Sequence, residues 1–157
     1  MNSPLRLLFV VLASIAVVGC GRHDHAVEKK GGGHAHTAPH GGVLIEVGEH
    51  AYNLELLRDS AAGKLTVWLL DGHAETFVRI KAPALEATVT SGSEKKPLSL
   101  KAVANPATGE TVGDTSQFEA QADWLKGSLP LEVAFAPVDI KGRRFDGLAG
   151  KVGVVVK

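Results

Sequence analysis

All seven histidines of the 157-residue chain precede residue 74, and five of them, His23, His25, His34, His36 and His40, are crowded into residues 23–40. Imidazole is neutral over much of the range above its ordinary pKa of about 6.5, so it can offer a ring nitrogen to zinc, copper or nickel without a large proton loss. In His23-Asp24-His25 and His34-Ala35-His36 the two rings are one residue apart, and an extended backbone projects such alternate side chains to one side. A flexible chain can fold the other pair, or His40, onto the same ion, which makes three or four nitrogens sterically available. Closing that loop and ordering the chain cost entropy, so the expected binding is weak to moderate and dependent on pH. The competing reading of the same residues is a solvated spacer whose histidine content is compositional.

The other two histidines lie further along, His50 after Glu49 and His73 after Asp71-Gly72, both at turn positions. If the strands around them form adjacent hairpins, Glu49, His50, Asp71 and His73 could meet at one end of the fold as two imidazoles with carboxylate support. The plainer expectation is two exposed loop histidines with no joint role. Which loops share an end is not written in local sequence.

One cysteine is present, and its position carries its own chemistry. Arg6 is followed by an apolar run over residues 7–18, then Gly19 and Cys20. This is the pattern of a bacterial lipoprotein signal peptide, with residues 1–19 removed and Cys20 acylated. The alternatives are a soluble secretion signal, or a membrane anchor with a chance cysteine. A bilayer-spanning helix needs about 20 apolar residues, and this run is shorter. Each buried methylene of an acyl chain contributes about 0.8 kcal/mol to membrane attachment, so two or three chains hold the protein at the bilayer. Gly21 follows the cysteine; by resemblance to bacterial lipoproteins, the absence of Asp there implies outer-membrane attachment facing the periplasm.

Composition narrows the functions further. The full chain carries 17 Lys and Arg against 17 Asp and Glu; losing residues 1–19 removes Arg6 and no acid, leaving 16 against 17 and a formal charge of −1. A near-neutral chain without a basic cluster gives no electrostatic footprint for nucleic acid or for anionic lipid. With Cys20 consumed by lipid there is neither a disulfide nor a thiolate ligand, so a metal site must use His, Asp and Glu. A blue-copper centre, which requires a Cys thiolate, is excluded on the same ground. There is no His-Glu-x-x-His, no Gly-x-Ser-x-Gly and no Walker-type loop, and no enzymatic activity is expected.

The elements that must position these groups follow from periodicity. Residues 20–42 are rich in Gly, His and charge and poor in large apolar side chains, the composition of a flexible tether, which by Gly-rich coil statistics spans on the order of 25 Å. From Val43 to Lys157 the pattern becomes short apolar alternation, the period-2 signature of half-buried strands. Leu85, Ala87 and Val89 oppose Glu86, Thr88 and Thr90; Leu98, Leu100 and Ala102 oppose Ser99 and Lys101. Phe118, Ala120 and Ala122, and then Leu131, Val133 and Phe135, repeat the split. Further strands are predicted at 43–47, 51–58, 64–71, 76–80, 142–148 and 151–157, with one helical turn near residues 123–126. Trp68 and Trp124 read as core or edge-covering residues. A strand every 10 to 12 residues or so, without crossover helices, predicts an all-β antiparallel β-sandwich of the immunoglobulin-like or cupredoxin-like sort.

Pro39-His40-Gly41-Gly42-Val43-Leu44, Glu46-Val47-Gly48 and the run from Leu65 to Asp71 together resemble a small periplasmic domain of bacterial lipoproteins. A similar His-Gly-Gly opening precedes the body of some periplasmic adaptor proteins of heavy-metal efflux pumps. Ser116-Gln117-Phe118-Glu119 and the run from Ile140 to Phe145 look like the same lipoprotein group, so the likeness covers most of residues 39–148. The resemblance implies an all-β envelope domain linked to metal handling and draws attention to His40. The long helical hairpin and membrane-fusion barrel of a full adaptor are missing from this sequence.

The expectation is therefore a non-enzymatic periplasmic lipoprotein, bound to the lipid bilayer through Cys20, that binds or buffers copper, zinc or nickel and works beside a metal efflux component or another envelope protein. The alternative is an envelope module that binds a protein partner through its β-sandwich surface, with incidental histidines.

Overall fold

The computed structural model describes residues 36–153; the predicted signal peptide, Cys20, His23, His25 and His34 lie outside the described residues. Ten strands are present among the described residues: β1 (Val43–Val47), β2 (Tyr52–Asp59), β3 (Lys64–Asp71), β4 (Ala84–Ser91), β5 (Glu94–Val103), β6 (Gln117–Gln121), β7 (Leu131–Phe135), β8 (Val138–Ile140), β9 (Arg143–Phe145) and β10 (Ala149–Val152). Eight form one antiparallel sheet in the order β1-β2-β3-β6-β5-β4-β7-β10, and β8 and β9 form a separate hairpin. The helical content among the described residues is two single 3-10 turns, Pro106–Thr108 and Asp123–Leu125.

The all-β antiparallel architecture agrees with the alternation in the sequence. One long sheet curls until its two outer strands approach each other: Ile45 of β1 packs on Gly150 of β10, where an added Cβ would come within 2.6 Å of the isoleucine side chain. The concave side carries the core. Leu54 and Leu56 of β2 sit opposite Leu69 and Val67 of β3, and all four are fully buried. Burying a Val or Leu side chain contributes about 1.5–3 kcal/mol, so this pairing fixes the register that also sets the opposite face. On that opposite face, β2 and β3 present Asn53, Glu55 and Leu57 beside Thr66, Trp68 and Leu70.

Five elements depart from the predicted pattern. Residues 76–80 keep the alternation, with Val78 and Ile80 buried, but form no strand. β6 already occupies the β3 edge as far as Trp68, so the segment joins through isolated bridges, Leu70 to Phe77 and Ile80 to Thr115. β5 starts at Glu94, earlier than its apolar alternation, and contains Pro97. The proline is tolerated because β6 pairs with β5 only from Lys101 to Val103, leaving that side of Pro97 without a strand. The predicted strand 142–148 is interrupted after Phe145, and the last strand begins at Ala149. β8 has no counterpart among the predicted strands.

Residues 38–42, predicted to lie in the tether, instead form a strap pinned to the outside of β2. The cause is a buried acid on that strand.

Candidate functional site

Glu55 is the centre of the arrangement. It stands in β2 among Leu54, Leu56 and Leu57, its side chain is completely buried, and a carboxylate in that position must be satisfied by donors. The strap supplies them. The backbone N–H groups of His40 and Gly42 donate to Oε1 at 2.8 and 3.0 Å, and His40 Nδ1 meets Oε2 at 2.8 Å. Because an ionised carboxylate only accepts, Nδ1 carries a proton, and in the neutral ring Nε2 is the nitrogen with a lone pair.

The Pro39-His40-Gly41-Gly42 motif acquires a physical reason here. Gly41 N–H donates to the Ala38 carbonyl at 3.0 Å, closing a turn in which Gly41 has φ +76°, a left-handed conformation. Gly42 passes so close to β2 that a Cβ would collide with the carbonyl oxygen of Leu56. Substituting Gly42 by Ala is expected to lower stability by about 2 kcal/mol and to lift His40 from its seat. Gly41→Ala, with open space around its Cβ, should cost only about 1 kcal/mol through its backbone conformation. Urea unfolding followed by tryptophan fluorescence would check the difference, and equal losses would contradict the steric account.

Above Glu55, the His40 ring lies flat on Trp68, with centroids 3.8 Å apart and planes 10° from parallel. Trp68 can receive it because it is the cross-strand partner of Glu55. Phe77 lies 5.8 Å from the imidazole centroid. His40, Trp68, Phe77, Arg79, Glu110 and Ser116 border a cavity of about 390 Å³. The polar groups on its far wall are engaged with one another. Buried Glu110 accepts from Ser116 N at 3.1 Å and Ser116 Oγ at 2.6 Å, while Arg79 donates to the carbonyls of Thr108 and Gly109. Among the described residues no hydrogen bond engages His40 Nε2, and the side chain is 32% exposed.

A second cavity, about 450 Å³, lies along the same sheet and shares Trp68 and Gln117 with the first. Of its two acids, Glu119 accepts from Lys64, Thr66 and Gln117, and Asp59 accepts from the backbone N–H groups of Ala61 and Ala62.

The remaining histidines divide into two places. His36 reaches His73, with ring centroids 5.6 Å apart and planes at 76°. His73 is exposed in the turn after β3, a turn closed by Ala74 N–H donating to the Asp71 carbonyl at 3.1 Å and by Glu75 N–H donating to Asp71 Oδ1 at 2.9 Å. The Glu75 N–H, outweighing partial desolvation, holds the Asp71 carboxyl below its ordinary range. His50 belongs elsewhere: its Nδ1 lies 3.2 Å from Glu46 Oε2, and its backbone N–H donates to Glu46 Oε1.

The loops carrying His50 and His73 do adjoin, since a Cβ on Gly72 would collide with the His50 carbonyl oxygen. Their rings nevertheless diverge, one to Glu46 and the other to His36, while Asp71 is spent on Glu75. Among the described residues no group of three or more His, Asp, Glu or Cys is gathered to hold an ion, so Glu49, His50, Asp71 and His73 do not form a joint site. Sequence reasoning missed Glu55 and Trp68 as partners of His40. The available signal was an acid set among three leucines in a strand.

Comparison of the chain with protein-family models, curated proteins and solved structures found no match.

Proposed function

We propose that the protein is a non-enzymatic envelope lipoprotein, held to the outer membrane through acylated Cys20 and facing the periplasm, which binds and buffers copper, zinc or nickel through the histidines of residues 23–40. The observation that supports metal binding best is His40 seated on the fully buried Glu55. A carboxylate on one imidazole nitrogen fixes the ring and raises the basicity of the other, which is the arrangement found behind metal-ligating histidines. His23, His25, His34 and His36 precede it as further nitrogen donors. Buffered ions would pass to a neighbouring efflux component.

The test uses the full chain extracted from membranes in detergent and titrated calorimetrically with zinc or copper. Replacing His23, His25, His34, His36 and His40 together by Ala is expected to weaken binding by at least about tenfold; unchanged binding would overturn these histidines as the ligands, and no binding by the parent chain would overturn the metal reading and favour a protein-binding envelope module. In parallel, mass spectrometry of the membrane-extracted chain should find residues 1–19 removed and Cys20 acylated. An intact, unacylated precursor would overturn the lipid anchor.

A further inference from the structure

We infer that the outer face of β3 and β6 is a binding groove for a neutral oligosaccharide. This goes beyond the metal-buffering reading and does not depend on it. Thr66, Trp68 and Leu70 share that face of β3: Leu57 and Glu119 flank Thr66, Glu55 and Gln117 flank Trp68, and Phe77 bridges to Leu70. Alternate residues of a strand are about 7 Å apart, so the three rows extend over about 14 Å. The cavity of about 450 Å³ lies over the first row and the cavity of about 390 Å³ reaches Phe77, while Trp68 and Gln117 border both. Together they make one groove, and each part has the size of a small-ligand site.

The charges of the groove select against a charged ligand. Glu119 is paired with Lys64, buried Glu110 accepts twice from Ser116, and Arg79 donates to the carbonyls of Thr108 and Gly109 while lying 3.7 Å from Glu110. An incoming ion would have to compete with these internal partners. A peptide adding as an extra strand is disfavoured too, because that mode needs unpaired backbone groups at a strand edge. β2 and β6 pair with the two edges of β3, and the Leu70 to Phe77 bridge continues the pairing beyond Trp68.

The groups left over are neutral and of both hydrogen-bonding kinds. Gln117 donates from Nε2 to Glu119 at 2.9 Å, which leaves its amide oxygen, and Asn105 accepts at Oδ1 from Ala107 N–H at 3.2 Å, which leaves its NH2 group. His40 adds Nε2, an acceptor in the neutral ring. Among the described residues no hydrogen bond engages these three groups. A sugar hydroxyl both donates and accepts, so it can meet either kind. Phe77, 46% exposed at the cavity wall, supplies the apolar contact, since the electron-rich face of an aromatic ring attracts the C–H groups of a pyranose. Asp71 N–H donating to the Thr76 carbonyl at 2.8 Å and Val78 N–H donating to the Leu69 carbonyl at 2.9 Å hold Phe77 in place. A wall fixed in this way saves ordering cost on binding.

The test titrates the full chain, in detergent with EDTA, with the β-1,4-linked tetrasaccharides of glucose and of N-acetylglucosamine, read by calorimetry and by the two tryptophan indole N–H signals in NMR. At least one sugar is expected to bind with a Kd below about 1 mM. It should shift the signal of Trp68 and leave that of Trp124, which borders neither cavity. Phe77→Ala and Gln117→Ala are each expected to weaken binding by at least about tenfold. Val112→Ser, at an exposed position outside the groove, should bind as the parent does. Circular dichroism checks that the variants fold; if Phe77→Ala does not, Gln117→Ala alone decides. Binding of neither sugar, a shift confined to Trp124, or parental affinity in a folded Phe77→Ala or Gln117→Ala variant would overturn the groove. Because EDTA keeps metal out of this titration, such a failure would leave the metal reading standing.

Discussion

Arg58→Ala is expected to lower the unfolding free energy by about 3–5 kcal/mol, the larger of two heavy losses that truncations in β2 should produce. Arg58 sits on the core side of β2 with only 1% of its surface exposed, and its guanidinium donates to three carbonyls of one loop, Leu125 at 2.8 Å, Gly127 at 3.2 Å and Leu129 at 2.6 Å. Among the described residues no carboxylate forms an ion pair with it. Desolvation lowers its pKa from the ordinary arginine value, yet guanidinium is basic enough to stay charged. Its charge-assisted bonds gather a loop that otherwise has little to bury, with Leu129 58% exposed. Alanine would leave a void and an unpaired carbonyl at the buried Leu125. Arg58→Lys would keep the charge but lose the planar fork, recovering only part of the loss. Urea denaturation would measure these differences, and a loss below about 1 kcal/mol for the alanine variant would show that the loop closes without the guanidinium.

The second large effect concerns Glu55 and separates the scaffold from the site. Glu55→Ala is expected to cost about 3 kcal/mol, because the N–H groups of His40 and Gly42 lose their acceptor and the strap loses its attachment to β2. Glu55→Gln is the more informative change. It keeps the volume and one acceptor oxygen, but sets an amide NH2 against donors that a carboxylate satisfied. Stability should fall by less than in the alanine variant, about 1–2 kcal/mol, whereas zinc affinity should fall by about 10- to 100-fold as His40 loses its orienting carboxylate. Calorimetric titration beside unfolding curves would check the split. Zinc affinity that survives in a folded glutamine variant would remove His40 from the ligand set.

Strand parity was legible wherever alternation was regular: the buried faces of β4 and β7 are those that Leu85, Ala87 and Val89, and Leu131, Val133 and Phe135, announce. β1, β3 and β7 also begin and end where the pattern changes. Elements whose pairing depends on distant neighbours were harder to read. Val138-Asp139-Ile140 is too short to show a period, and the fate of residues 76–80 depends on β6 reaching the β3 edge first. The same division runs through the site. His40 was visible in its motif, but Glu55 was not singled out, because its role depends on the strap that covers it. The meeting of His36 with His73 depends on two turns being brought side by side, which no local signal encodes.

Where Ile45 lies on Gly150, the two margins of the eight-stranded sheet face each other across a seam. An open margin offers unpaired backbone groups onto which strands of neighbouring molecules can add. Here each margin screens the other, and the missing side chain at residue 150 permits the close approach. A glycine with no chemistry of its own thus guards against edge-to-edge polymerisation.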